Sequence, residues 1–410
     1  MKKLLILGGG TAGTMMAHHL KKKLNLKDWQ VTLVDATGRH YYQPGFLFVP
    51  FGIYKPEQIV KDEASLLPRE VRYLQVEIDT ISVDNNSVQL KDGTTEVYDI
   101  LIIATGSHIA PEETEGLSGD GWRKNIFDFY THDGSAALHD ALANFKGGDL
   151  VIHLTEMPIK CPVAPLEFTF LADWFLTKKG IRDRTKLTYV TPLSGAFTKP
   201  VASNALGHLM SEKNINVVTD YNIEKVDSSA NKIVAYDERE VPYDLLVTVP
   251  TNMGNAAIER SGLGDELNFV PVDKHTLQAK VKDNVFVVGD ATDVPTSKAG
   301  SVAHFEAELL IENILNYING KELEPSFDGH ANCFIESGFK KGLLIDFNYD
   351  HEPVTGKFPL AGFGPLSLLK ENRMNHLGKL SFRWIYWNLL LKARKIPTVT
   401  AKMKMAGKNF

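Results

Sequence analysis

The chain has 410 residues, 43% hydrophobic and 23% charged, enough for two or three domains sharing large cores. Its net charge of −5 makes no general case for nucleic-acid binding, and two cysteines are too sparse for a disulfide-stapled fold or a zinc site, so no metal centre is expected. The charge is uneven: residues 370–410 hold ten Lys/Arg against the single acid Glu371, so the tail is +9 and the rest −14, which points to a surface or a partner.

The N-terminus "MKKLLILGGG" starts like a secretory signal, but only four apolar residues precede its glycines, so none is expected. No apolar run approaches about 18 residues, so no transmembrane helix is expected either. "KKLLILGGGTAGTMMAHHL" reads as a buried strand, a turn and a helix. Gly8, Gly10 and Gly13 fit G-x-G-x-x-G, with Thr11 and Ala12 between the second and third glycines. The first glycine permits the tight turn, the second lets a pyrophosphate approach the backbone, and the third lets helix and strand pack closely. "WQVTLVDA" supplies a second strand ending in Asp35, 22 residues past Gly13, where a carboxylate would bind a ribose hydroxyl.

Three later segments narrow the cofactor. "VYDILIIATGS" (97–107) is a buried strand closing in the small-residue turn Ala104-Thr105-Gly106, and "VPYDLLVTVPT" (241–251) repeats the pattern. "VKDNVFVVGDATDVP" (281–295) is another buried strand, ending in Gly289-Asp290. Together with the first site these segments resemble the two-dinucleotide-binding flavoprotein superfamily, which implies FAD. Asp290 matches the aspartate that binds the ribityl chain there; taken alone it could be a helix cap, a reading its place at a strand end disfavours. The resemblance implies an α/β fold of two Rossmann-like domains. Residues 1–110 and 246–320 would form a discontinuous FAD domain. Residues 111–245 would form a second domain with a degenerate nucleotide site, and 321–410 a C-terminal redox-cysteine and amphipathic membrane-anchor region.

Members of this superfamily that use a nicotinamide carry a second glycine-rich loop in the second domain. Here the strand "DLVIHL" runs into "TEMPIKCPVAPLEF", which has no glycine. Side chains there block close approach of the backbone to a pyrophosphate. Electrons must enter by other chemistry, and the turn carries Cys161.

"KCPVAPLEFTFLAD" resembles the Cys-Pro-x-Ala-Pro-x-Glu segment of sulfide:quinone oxidoreductases. "ANCFIESG" (331–338) resembles the segment with their second redox cysteine, here Cys333. "HYYQPGFLFVPFG" (40–52), with Pro44, is similar to their loop beside the flavin. "VPTSKAGSVAHFEAE" (294–308), with Lys298, Ala299 and Gly300, is similar to their lysine-bearing helix start. One departure stands out: many of these enzymes have a third cysteine near Asp128–Tyr130, and this chain has none.

The resemblance implies that Cys161 and Cys333 form a disulfide, or a bridge with extra sulfur, over one flavin face. Hydrosulfide would attack it, leaving a persulfide on one cysteine and a thiolate on the other. That thiolate would reduce FAD, and a quinone on the other face would take the electrons. Taken singly, each cysteine is as readily a small buried hydrophobe. Glu167 is a candidate base if burial raises its pKa; otherwise it is a solvated carboxylate suited to a helix's first turn. His132 matches a histidine in the same family segment, with a purely structural role as the alternative. Lys298 would place positive charge beside the flavin.

A quinone requires reach to a bilayer. In the tail, Leu377, Leu380, Trp384, Trp387 and Leu391 recur at helical spacing, with Arg383, Lys392, Arg394 and Lys395 around them. This describes an interfacial helix of a peripheral, monotopic protein of the cell membrane, its face undetermined, or a helix packed on the core with a basic outer face. Phe334 resembles a family aromatic that stacks on quinone, and Phe358 and Phe363 are further candidates. Two related activities share much of the pattern: a non-pumping NADH:quinone oxidoreductase, which would need the missing glycine loop, and the flavoprotein subunit of a flavocytochrome sulfide dehydrogenase. A flavin-bound redox sensor switched by Cys161 and Cys333 is the non-enzyme alternative. A homo-oligomer is compatible with the tail, which carries no signal for one.

Overall fold

The computed structural model describes residues 1–360 and 363–409. In chain order its framework begins with Lys2–Leu7 (β1), Thr11–Lys23 (α1), Trp29–Asp35 (β2), Arg72–Gln75 (β3), Ile100–Ile103 (β4) and Ser107–Ala110 (β5). Ile126–Phe127 (β6), His132–Asn144 (α2), Gly148–Leu154 (β7), Ala164–Lys179 (α3), Thr185–Val190 (β8), Asn216–Val218 (β9) and Leu245–Val249 (β10) come next. The chain continues through Thr251–Gly254 (β11), Val285–Val287 (β12), Gly300–Ile318 (α4), Ala331–Gly338 (β13), Lys341–Phe347 (β14) and Arg373–Ile385 (α5).

Two parallel sheets organise these elements. The first has the order β12-β4-β1-β2-β3, with Leu4 of β1 opposite both Val31 and Ile100. Leu4 to Leu7 are all buried, as a parallel strand must be when both faces of its sheet are covered. The second has the order β6-β10-β7-β8-β9. The chain leaves the first sheet through β5 and returns through β11; these two strands pair antiparallel, Ser107 opposite Gly254. One hydrophobic core runs through both sheets. The ends of β1, β4 and β12 thereby converge on one cleft, the position where open α/β sheets bind ligands.

After α4 the chain forms the hairpin β13–β14, which packs against α3 and α5. The tail stripe read from sequence does not persist as one face. α5 passes at Ile385 into a π-type turn over Tyr386–Leu390, with Leu391 N–H bonding Tyr386 C=O at 3.1 Å. Each i→i+5 bond adds a residue to the turn and rotates every residue beyond it. Met374, Leu377 and Trp384 stay outside, Leu380 is half-buried, and Trp387 and Leu391 turn inward and are buried. Trp387 packs on His40 and Tyr42 at ring distances of 5.6 and 6.3 Å, under the Lys61 ammonium at 4.4 Å. No helix among the described residues is long and apolar enough to cross a membrane.

Candidate functional site

The cleft encloses about 1450 Å³ of empty space, open solvent at its mouth included. Gly8 (φ +101°) closes the turn after β1; a Cβ there would stand 2.4 Å from the Ala104 carbonyl oxygen. At Gly13 a Cβ would meet the Gly8 carbonyl oxygen at 1.9 Å, so this glycine serves packing and does not line the cleft. Gly10, Gly106 and Gly300 do line it, with nothing within 4 Å of where a Cβ would stand. Thr105 Oγ1 and Ser107 Oγ, on cleft-lining residues, are buried without a hydrogen-bond partner. Open glycines at a helix N-terminus and unsatisfied hydroxyls beside them fit a dinucleotide pyrophosphate and its polar chain.

The other residues assigned to the cofactor from sequence line the same cleft: Thr11, Ala12, Asp35, Pro44, Ala104, Thr105, Gly289, Asp290, Lys298 and Ala299. Asp35 accepts Gly9 N–H at 2.9 Å through one oxygen and the Thr37 N–H and hydroxyl at 2.8 Å through the other. Lys298 is buried. Its ammonium donates to the Asp290 and Thr292 carbonyls at 3.1 and 2.6 Å and lies 3.7 Å from the Phe269 ring centroid. Burial pushes its pKa down, and Asp290 opposes that shift.

The glycine-free turn 155–163 connects β7 to α3 and presents Cys161 to the cleft. Cys161 has φ +45°, in the left-handed region that costs a residue with a Cβ about 1–2 kcal/mol. Its surroundings hold it there. Its N–H donates to Lys298 C=O at 2.6 Å, Tyr130 Oη–H donates to the Lys160 and Cys161 carbonyls at 2.8 and 3.3 Å, and Lys160 N–H donates to Asn252 at 3.0 Å. Tyr130, in the region where the resembling enzymes carry a third cysteine, lines the cleft.

Cys333 sits on β13, buried and outside the cleft lining, beside the Ser301 hydroxyl at the start of α4. A negative charge on Cys333 raises the Cys161 pKa, and both thiols feel the same two groups, Glu167 and Lys379. Both are free thiols. Burial drives Cys161 far above the ordinary thiol range and Cys333 to about 12, with Glu167 adding to the rise and Lys379 opposing it. An apolar site that disfavours thiolates in this way favours uncharged sulfur, whether thiol or disulfide.

Glu167 is fully buried in the first turn of α3, not solvated. It pairs with Lys379 of α5 at 2.8 Å and accepts Glu336 N–H at 2.8 Å. Burial raises its pKa, while Lys379 and the amide pull it back. Burial also opposes charge on Lys379, but Glu167, Cys161 and Glu336 together outweigh it and hold the pKa up. His132 is not brought to this group. It lies at the start of α2, bonded to Asp133 and the Pro56 carbonyl at 3.0 and 3.3 Å and packed on Tyr41.

The three phenylalanines assigned to quinone do not line the cleft. Strand alternation turns Phe334 away from Cys333, toward a small core that contains Phe358; Phe363 is 91% exposed. Lys160, Lys379 and Tyr386 line the cleft although sequence reasoning did not select them. Tyr386 Oη bonds Thr11 Oγ1 and His40 Nε2, each at 2.6 Å, and His40 Nδ1 bonds the buried Glu63 at 2.8 Å. Lys379 was counted only as one of the tail's basic residues; its place among apolar helix positions was the available signal.

Residues 2–146 match the family described as pyridine nucleotide-disulphide oxidoreductase. A mitochondrial sulfide:quinone oxidoreductase of Dictyostelium discoideum is 28% identical, over 96% of this chain and 86% of the relative. The mitochondrial sulfide:quinone oxidoreductase of Mus musculus is 27% identical, over 95% and 86%. The crystal structure of the sulfide:quinone oxidoreductase of Aquifex aeolicus superposes with a TM-score of 0.78 at 22% identity, covering 95% of this chain and 92% of that one. The resemblance carried by the motifs therefore extends over most of the chain, and the fold is that of the Aquifex protein.

Proposed function

We propose that this relative of the sulfide:quinone oxidoreductases is itself one: an FAD enzyme that oxidises sulfide to polysulfide or zero-valent sulfur and passes the electrons to a quinone. The observation that carries the reading is a convergence. Cys161, from a turn that has lost its glycines, and Cys333, from a remote hairpin, both come under the influence of the buried Glu167–Lys379 pair at the dinucleotide cleft.

The residues that would hold FAD are the Gly8–Gly10–Thr11 turn and α1 N-terminus for the pyrophosphate, Asp35 for the ribose, and Asp290 for the polar chain. Bound there, FAD supplies a two-electron acceptor for the thiols and a donor for quinone. The chain's own part begins with a Cys161–Cys333 disulfide. Hydrosulfide attacks one sulfur, the S–S bond breaks, and a persulfide and a thiolate result. Lys379, buried and paired with Glu167, stabilises the thiolate in a site that otherwise opposes it. Glu167, its pKa raised, takes a proton from the incoming sulfur. A second hydrosulfide then attacks the outer sulfur and removes it as polysulfide, with the cysteine thiolate as leaving group; the two reduced cysteines would re-form their disulfide by giving two electrons to the flavin.

Phe334, Phe358 and Phe363, the aromatics assigned to quinone from sequence, lie outside the cleft lining, so the quinone contact would have to form elsewhere at the cleft. Met374, Leu377 and Trp384, exposed on one face of α5 in a tail of net positive charge, would rest on an anionic membrane surface and make the protein peripheral. The test is anaerobic addition of sulfide, then NADH, to the purified yellow protein. Sulfide should bleach the flavin and a short-chain quinone should restore it, over many cycles. Bleaching by NADH and not by sulfide overturns the donor, and a single slow bleach without turnover marks a sensor.

A further inference from the structure

The Glu167–Lys379 pair does not end at the thiols. β13 separates Cys333 from the outer face of the hairpin, and the edge of β13 away from β14 is sealed by this pair: Glu167 accepts Glu336 N–H at 2.8 Å and Lys379 donates to Phe334 C=O at 3.3 Å. Glu336 is buried, and its carboxylate feels both Glu167 and Lys379. Both its oxygens lie 2.9 Å from His376 Nδ1. His376 is one turn before Lys379 on α5, and its side chain is 20% exposed. Two pairs thus lie side by side along this edge, the buried Glu167–Lys379 pair on the sulfur side and the Glu336–His376 pair whose imidazole reaches solvent, joined by the Glu167 bond to the Glu336 N–H and by the charge of Lys379 on the Glu336 carboxylate.

The chemistry requires such a route if the proposed function holds. Oxidation of one hydrosulfide, HS⁻ → S⁰ + H⁺ + 2e⁻, leaves a proton at the thiols. Quinone takes the electrons elsewhere with two protons, Q + 2H⁺ + 2e⁻ → QH₂. We propose that Lys379, Glu336 and His376 are relay residues that carry the proton taken by Glu167 across the hairpin edge to solvent. The assignment rests on the sulfide-oxidising reading of the site.

The electrostatics suit an exchangeable proton. Burial, reinforced by the charge of Glu167, raises Glu336 to about 8, with Lys379 opposing. Burial and then Lys340 lower His376. Tyr54 also faces the group, its own pKa raised by burial and Glu336 and lowered by Arg383 and Lys379. Two carboxylates around one lysine leave a net negative charge in a low dielectric, which a proton near neutrality offsets.

The experiment mixes FAD-loaded enzyme anaerobically with sulfide at fixed pH and ionic strength while imidazole is varied. The wild-type bleaching rate should not depend on imidazole. His376→Ala should be slower by about a hundredfold, the lower end of the usual range for a lost proton-transfer group, and should recover as imidazole rises. Glu336→Gln should be slow at every imidazole concentration and Glu336→Asp close to wild type. If Glu336→Gln loses flavin, His376→Ala decides. Wild-type rates in His376→Ala, or a loss that imidazole does not repair, overturn the relay. A wild-type protein that sulfide does not bleach overturns the functional reading instead, and the relay with it.

Discussion

Cys161 joins a proposed chemical role to a strained backbone. Its left-handed backbone suits glycine, yet a cysteine stands there, pinned by Lys298, Tyr130 and Asn252. Cys161→Gly should therefore be more stable than Cys161→Ala by about 1 kcal/mol, measured by chemical denaturation. Both variants, like Cys333→Ser, should keep flavin but lose sulfide bleaching by at least about a hundredfold, the scale expected for a lost nucleophile or its partner. Glu167 acts as a base only when ionised, and burial raises its pKa. The wild-type bleaching rate should rise with pH through a value above the ordinary carboxylate range, and Glu167→Gln should lose that limb. The alternatives for Glu167, solvated or buried, could not be separated from its position in a first helical turn. The partners that bury it come from β13 and α5.

Among the elements, α4 carries a buried acid and the tail helix departs from its sequence pattern. Glu306 of α4 is buried, bonds Gly289 N–H at 2.5 Å, and is raised by burial to about 8. In the window between the unfolded carboxylate value near 4.3 and about 8, the folded state binds more protons than the unfolded one. Stability must therefore fall as pH rises through that window, and Glu306→Gln should flatten the decline in melting temperature between pH 5 and 8. In the tail, helical spacing grouped Trp384 with Trp387, but the π-type turn parts them. Trp384→Ser should weaken binding to anionic liposomes with little loss of stability. Trp387→Ala should cost about 3–5 kcal/mol of stability, as for other buried aromatics, measured by denaturant unfolding. Periodicity alone could not reveal this, because one i→i+5 step changes the phase for every later residue.

At the scale of the molecule, the C-terminal segment closes the cleft that the N-terminal segment opens. Tyr386 bonds Thr11, at the start of α1, and His40, while Lys22 donates to the Lys392 carbonyl at 2.9 Å. Removal of residues 373–410 should therefore release flavin, read from the absorbance ratio of the purified protein. Tyr386→Phe should lose flavin partially while keeping the fold. The strand pattern and glycine spacing make the first sheet and its dinucleotide turn legible, since each lies within a short strand-turn-helix unit. The dependence of that turn on a tyrosine 375 residues away is not a local property.

Sequence by itself determined the local conformations: which turns admit a phosphate, which turn refuses one, and where two thiols lie along the chain. Those properties come from the presence or absence of a Cβ and from periodicities of a few residues. Only the tertiary structure decided the company each group keeps. Lys379 reaches Glu167 across 212 positions, and Tyr386 caps the cleft from the far end of the chain. Such contacts arise because burying separate apolar faces in one core brings their polar neighbours together, and no local pattern encodes which neighbours those are.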